Sequence, residues 1–442
     1  MWDEQRDPGS ALVDRRAWLA AAGAGLLTVL GAKAAEPARR PLLAEPDSYW
    51  RRVERLRAGD TLLLAPGEYP RGLWLHGLEG TPAAPIAIQA LDPLRPPVFP
   101  ARAGANTVSL LDSRWLVLRH LRLEGGGQRV DAVKAEGHAR FADFIELDGL
   151  QITGYGPWQD VVGISTKCPA QGWVVRNNTV VGAGTGMYFG QSDGSAPFVG
   201  ALLEGNRVLG PVGYGIQIKH QRARGGPDAP QATVIRRNLV LKAANSSTGA
   251  LARPNLLLGH QPLAGTGASD GYQVYGNVFF NNPGEALLQA EGNLAIYNNL
   301  FSNPAGDAVR VMAHKHRPRQ VAVFGNTVVA RSIGIEISGG EAGYERSARA
   351  NLVYAQSVDL GPIAVDNVFQ PWARARDELV EPWAPPPALD LRPRSRWPAG
   401  GGPLPPDLLQ LPGAGDDFHG RGRSTFFAGA CPPVDAGPER CG

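Results

Sequence analysis

Lys219, His220 and His260 carry exchangeable protons at the ends of two short apolar runs, Gly215-Ile216-Gln217-Ile218-Lys219 and Leu256-Leu257-Leu258-Gly259-His260. Alternation at period two turns Ile216 and Ile218 inward and leaves Gln217 and Lys219 facing out. The matching position one run earlier is Gly190 and one run later Gly259, so Lys219 is expected between two residues without side chains. Runs of this kind stack at roughly 4.8 Å, which puts His260 within reach of Lys219 and His220. Glu291 follows one coil later and Lys167 lies two coils back. Arg310 is about three coils on, roughly 14 Å from Lys219. A base surrounded by positive charge suits removal of a weakly acidic proton next to a carboxylate, because the charge stabilises the enolate-like intermediate. Lys219, His260 and His220 are therefore the catalytic candidates. Lys167, Gln217, Glu291 and Arg310 are the substrate-binding candidates. Singly, each of these residue types is common as a solvated lysine or a loop-capping histidine. Only the column makes them a site.

The elements that must hold this column repeat. An Asn followed by an aliphatic residue or Phe returns at Asn178, Asn206, Asn238, Asn277, Asn299, Asn326 and Asn351, and again at Asp366-Asn367-Val368-Phe369. Spacings that vary through the twenties and thirties are those of a solenoid with loops of unequal length. Each repeat holds three apolar runs: one before the Asn, one after it, and a third opened by Gly or Ala, such as Gly186-Met187-Tyr188-Phe189 or Gly334-Ile335-Glu336-Ile337. Alternation in runs of four or five predicts strands. Asn tolerates left-handed backbone at a corner, and stacked amides can bond from coil to coil. The longest loops follow the third run, so a groove is expected along that face.

Three strands per coil with Asn at one corner resembles the right-handed parallel β-helix of the pectate-lyase-like superfamily, from about Asp60 to Gln370. The opening coils, Gly59-Asp60-Thr61, Pro66-Gly67-Glu68-Tyr69 and Pro85-Ile86-Ala87-Ile88, look like those of chondroitinase-B and alginate-lyase type proteins. That resemblance implies β-elimination on a uronic-acid polysaccharide, with a Lys base, an Arg partner on the next coil and a calcium site of Asn and Glu. Lys219 matches the Lys in kind, but the next coil offers His260, and no calcium ligand set is identified. Two alternatives stand beside the lyase. One is a non-catalytic periplasmic or surface protein that binds an acidic glycan along Lys167, Lys219 and Arg310. The other is a glycoside hydrolase of the same fold, for which only Ser192-Asp193-Gly194 hints at the required carboxylates.

Residues 1–34 read as an export signal. Arg15-Arg16 precedes a short Ala- and Gly-rich apolar stretch and Ala32-Lys33-Ala34, an arrangement similar to twin-arginine signals, with the general secretory route as alternative. The mature chain is expected in the periplasm or medium as a monomer, without a stable membrane span. Residues 35–370 form the second unit. It begins with a helix over Pro46 to Leu56 that presents Tyr49, Trp50, Val53 and Leu56 as a cap on the first coil, and continues as the all-β solenoid. Residues 371–442 form a Pro-rich tail. Eleven prolines between 371 and 415 bar it from the sheet ladders, so it is expected to wrap an outer face. Of the three cysteines, Cys431 and Cys441 can pair in an oxidising compartment, leaving Cys168. A net charge of +3 with no basic stripe excludes nucleic acid and is compatible with an acidic polysaccharide partner.

Overall fold

The computed structural model describes residues 41–395, 403–423, 427–437 and 439–442; the export signal expected at 1–34 lies outside them. The alternating apolar runs assemble into three long parallel sheets of 13, 11 and 11 strands, and the inner coils give one strand to each. This is a right-handed, single-stranded parallel β-helix. The inward residues of all three sheets form one continuous core, from Leu62 and Leu64 near the start to Ile335, Ala348 and Val353 near the end.

The corner between the first and second sheets divides two tasks that the sequence merges. The left-handed conformation belongs to the residue before each repeated Asn: Asn177, Gly205, Arg237, Gly276, Asn298, Gly325, Ala350 and Asp366 all have φ between 48° and 64°. The repeated Asn itself turns inward and is buried, except for Asn367 at the end of the series, which is half-buried. From Asn178 through Asn206, Asn238, Asn277, Asn299, Asn326 and Asn351 to Asn367, each donates its backbone N–H and its Nδ2 to the Oδ1 of the next, at 2.8–3.1 Å. Each Nδ2 also meets a main-chain carbonyl, so a buried polar column is satisfied throughout.

The N-terminal cap is smaller than expected. A strand at Leu42–Ala44 precedes it, and the helix is limited to Tyr49–Val53. Tyr49 closes the core end, its ring 4.9 Å from Tyr69 and 6.2 Å from Phe99. At the other end the first tail residue, Pro371, still closes the strand Val368–Pro371 of the second sheet, and the tail beyond it stays out of the three sheets. It does form its own antiparallel pair, Leu379–Glu381 with Asp390–Pro393. Leu404, Leu408, Leu411 and Ala414 then cover the stacked Tyr275, Tyr297 and Phe324 on the outside of the first sheet. Leu379, Leu389, Leu391 and the Cys431–Cys441 disulfide cover Leu300, Val329 and Tyr354 on the outside of the second. Cys168 is a buried free thiol. Both tail clusters lie on the first and second sheets, and the third keeps its outer face for other contacts.

Candidate active site

The outer face of the third sheet carries two parallel rows of side chains. Strand register aligns Ser165, Tyr188, Gln217, Leu257, Gln289, Arg310 and Glu336 in one row. One step beyond the strand ends, backbone bonds of 2.9–3.2 Å align Lys167, Gly190, Lys219, Gly259, Glu291 and Met312 in the other. Five of the seven candidates, Lys167, Gln217, Lys219, Glu291 and Arg310, stand in these rows, and His220 and His260 follow one residue beyond Lys219 and Gly259. A cleft of about 300 Å³ lies over it, bounded by Lys219, His220, Gln217, Gln289, Arg310 and Lys315.

The two glycines beside Lys219 leave no open floor. A Cβ on Gly259 would stand 2.2 Å from the His220 backbone nitrogen, and one on Gly190 would stand 3.2 Å from the Lys219 Cβ. They permit close approach, drawing residues 219 and 220 down onto their neighbours. Lys219 is thereby half-buried, and burial together with Lys315 and Arg253 holds its pKa below the ordinary lysine value. Lys167 is lowered to about 8 by burial first and then by Lys134 and Lys219, against the pull of Asp131. Between the two lysines stands Tyr188, with the Lys167 ammonium 3.2 Å and that of Lys219 5.8 Å from its ring centroid. Burial raises the Tyr188 hydroxyl, which stays protonated beside Ser192 at 3.3 Å.

His220 and His260 stack with ring centroids 5.3 Å apart, and His316 meets His260 edge-on at 4.1 Å. The Lys315 Nζ lies 3.1 Å from His220 Nε2, so the ammonium donates to an unprotonated ring nitrogen. Burial, then Lys315, His260 and Lys219, depress His220 to about 4. His260 Nδ1 lies 2.8 Å from the Gln261 carbonyl, which can only accept, so Nδ1 carries the proton. Its Nε2 is then a buried acceptor without a partner among the described residues, as is the Oε1 of Gln217. Burial is also the main cause holding His260 below its ordinary pKa.

Glu291 sits in the Lys219 row but is buried, and its Oε2 accepts the backbone N–H groups of His314, Lys315 and His316 at 3.2, 2.8 and 2.9 Å. It fixes the turn that delivers Lys315 and His316. Arg310 is held by Glu336 at 2.7 Å and Asp307 at 3.6 Å. Tyr188, Lys315 and His316 are the residues that sequence reasoning missed. The outward register of Tyr188 was available in its strand, whereas Lys315 lies 95 residues from the histidine it touches. The residues around the cleft do not fit a calcium cage. Glu291 is engaged by backbone donors, while Asp307 and Glu336 face Arg310. No group of three or more His, Cys, Asp or Glu suited to a metal occurs among the described residues.

No protein-family model matches the chain, and no curated protein matches its sequence. Among solved structures it is similar to an alginate lyase from Paenibacillus sp. str. FPU-7, at 15% identity and TM-score 0.45, over 75% of this chain and 98% of that one. It is similar to a pectate lyase, Pel9A, at 14% identity and TM-score 0.46, over 75% and 80% of the two chains. A lacto-N-biosidase from Eubacterium ramulus matches at 11% identity and TM-score 0.41, over 75% and 68%. The likeness is one of fold. No helix among the described residues is long and apolar enough to cross a membrane.

Proposed function

We propose that the chain is an exported polysaccharide lyase that cleaves a uronic-acid polymer by β-elimination in the third-sheet cleft. The observation that carries this reading is Lys219, an amine at the floor of the cleft whose protonated form is disfavoured by burial and by neighbouring Lys315 and Arg253. A neutral amine there takes the proton from the sugar carbon beside the carboxylate. The electrons of that C–H bond form the new C=C bond, the bond to the glycosidic oxygen breaks, and the leaving oxygen takes up a proton. The Tyr188 hydroxyl, kept protonated by burial on a ring 5.8 Å from the Lys219 amine, is the proton donor in this scheme. Lys315 and Arg253 oppose the charge that grows on the carboxylate, and Arg310 meets a sugar further along the chain. His220 positions Lys315 rather than acting as base, since its Nε2 lone pair is already occupied. The disulfide in the tail and the signal-like N-terminus support a periplasmic or secreted location.

Lys219→Ala tests this. Elimination should fall on the order of 10²–10⁴-fold while polymer binding is largely kept. Product formation is followed by the absorbance of unsaturated uronate over alginate, polygalacturonate and chondroitin. A native protein that binds one of these polymers yet never produces the double bond would establish the glycan-binding reading instead.

A further inference from the structure

A second concavity, of about 510 Å³, opens at the N-terminal end of the same sheet, away from His220 and His260. It lies between the cap helix and the strand Leu73–His76, and Trp50, Glu54, Arg71, Trp74, His76 and Arg102 line it. Trp74 is 52% exposed, a large apolar surface to leave in water. Its indole is stacked parallel to the His76 ring, at 6° and 6.3 Å between centroids, and the exposed part of the indole is the shelf of this concavity. The Arg102 guanidinium is 4.9 Å from the Trp74 ring and the Arg71 guanidinium 3.9 Å from that of Trp50. Both arginines thus rest on aromatic rings, and neither guanidinium has a hydrogen-bond or ion-pair partner among the described residues. The Trp50 indole N–H also lacks a partner among the described residues.

Register ties the shelf to the cleft. Trp74 aligns with Ser109, Lys134, Ser165, Tyr188 and Gln217 in a single row. Five strand steps of about 4.8 Å put Trp74 about 24 Å from the Gln217 strand along the solenoid axis. We propose that the shelf is a distal glycan subsite, in which a uronic-acid residue of the polymer stacks on Trp74 while its carboxylate meets Arg102 and Arg71. This rests on the reading of the cleft as a site for acidic polysaccharide. A planar guanidinium fork matches a carboxylate, and an exposed indole matches the apolar face of a sugar ring. Between the two sites the polymer passes Lys134, paired with Asp131 at 3.2 Å, and Lys167. Of the two acids on this path, Asp131 is thus matched by a cation, and Glu136 accepts from Ser109 and Asn106 at 2.9 and 2.8 Å.

The test measures binding of polygalacturonate and alginate, as long chains and as trimers, to the full-length protein and to Trp74→Ala, Trp74→Phe, Arg102→Ala and Arg102→Lys. Thermal midpoints check that each variant folds. Trp74→Ala and Arg102→Ala should weaken long-chain binding at least about fivefold, and Trp74→Phe and Arg102→Lys should recover part of it. Trimers, too short to span 24 Å, should bind all variants alike. Unchanged long-chain affinity in both alanine variants, with unsaturated product still formed, overturns the subsite and leaves the lyase reading intact. Equal losses for trimer and polymer also overturn it, since Trp74 would then act on the cleft itself. A Trp74-dependent affinity in a protein that never forms the double bond supports the subsite and sinks the lyase reading. No binding of either polymer by the native chain overturns both.

Discussion

Glu291→Ala is the substitution through which the structure can be tested most directly. One buried carboxylate oxygen holds three backbone donors of the turn that carries Lys315 and His316. Hydrogen bonds to a charged group contribute about 1.5–3 kcal/mol each, and because three share one oxygen the low end applies, about 4–5 kcal/mol in all. Ordering the four residues 313–316 costs about 1 kcal/mol each, about 4 kcal/mol together. The two nearly cancel, so the turn is held by this carboxylate and opens without it, while the sheets beneath stay folded. Lys315 then leaves His220. Lys315 is the largest charge effect on His220 after burial, and the opposing influence of Glu291 is smaller. The His220 pKa should therefore rise from about 4 toward the ordinary 6.5. NMR titration of the imidazole nitrogens reads that shift, and hydrogen exchange at residues 314–316 reads the turn. Glu291→Gln, which keeps an uncharged acceptor, should fall between the two. A His220 that still titrates near 4 in Glu291→Ala, with those amides protected, would refute the reasoning.

Asn277→Ala should destabilise the protein by about 2–4 kcal/mol, because the buried Asn238 N–H and Nδ2 lose the acceptor they share. Asn367→Ala, at the half-buried end of the column, should cost about 1 kcal/mol; denaturant midpoints compare them, and equal losses would argue against a cooperative column. Acid should weaken the fold in a defined window. His220 has a folded pKa of about 4 against an ordinary 6.5, so the unfolded chain binds its proton first. Stability from this group is complete above pH 6.5 and declines as pH falls toward 4. His220→Gln should flatten that part of a plot of Tm against pH, and an unchanged slope would show that another group titrates there. Lys167 follows the same sign at higher pH, its contribution declining from pH 10.5 to about 8.

The sequence carries the β-helix and its bare face plainly, because both rest on short-range periodicity. The Asn phrase marks the corner, although the residue before it takes the left-handed backbone, and the alternation puts Gln217 and Lys219 on the outside as expected. What it does not carry depends on contacts between distant residues. The strand at Leu42–Ala44 is three residues long and gains its place only by pairing with Thr61–Leu64. Glycine at 190 and 259 reads as empty space in a sequence, yet in three dimensions neighbouring chain fills it. The turn at 313–316 has no signature of its own, since what orders it is a carboxylate on the preceding coil.

The Asn column also has a direction. Every rung donates toward the C-terminus and accepts from the N-terminal side, beginning with the Leu150 N–H that bonds Asn178 Oδ1 and ending at Asn367. A half-built solenoid therefore always ends in a rung whose donors wait for the next coil, so each coil completes the one before it. As the chain emerges from the ribosome, growth by accretion from the N-terminal end is favoured, with the newest turn exposed at the tip. The tail that follows Asn367 then lies back over the finished coils, and Arg423 reaches Asn298 at 2.8 Å. Assembly is thus sealed by a segment made after the coils it covers.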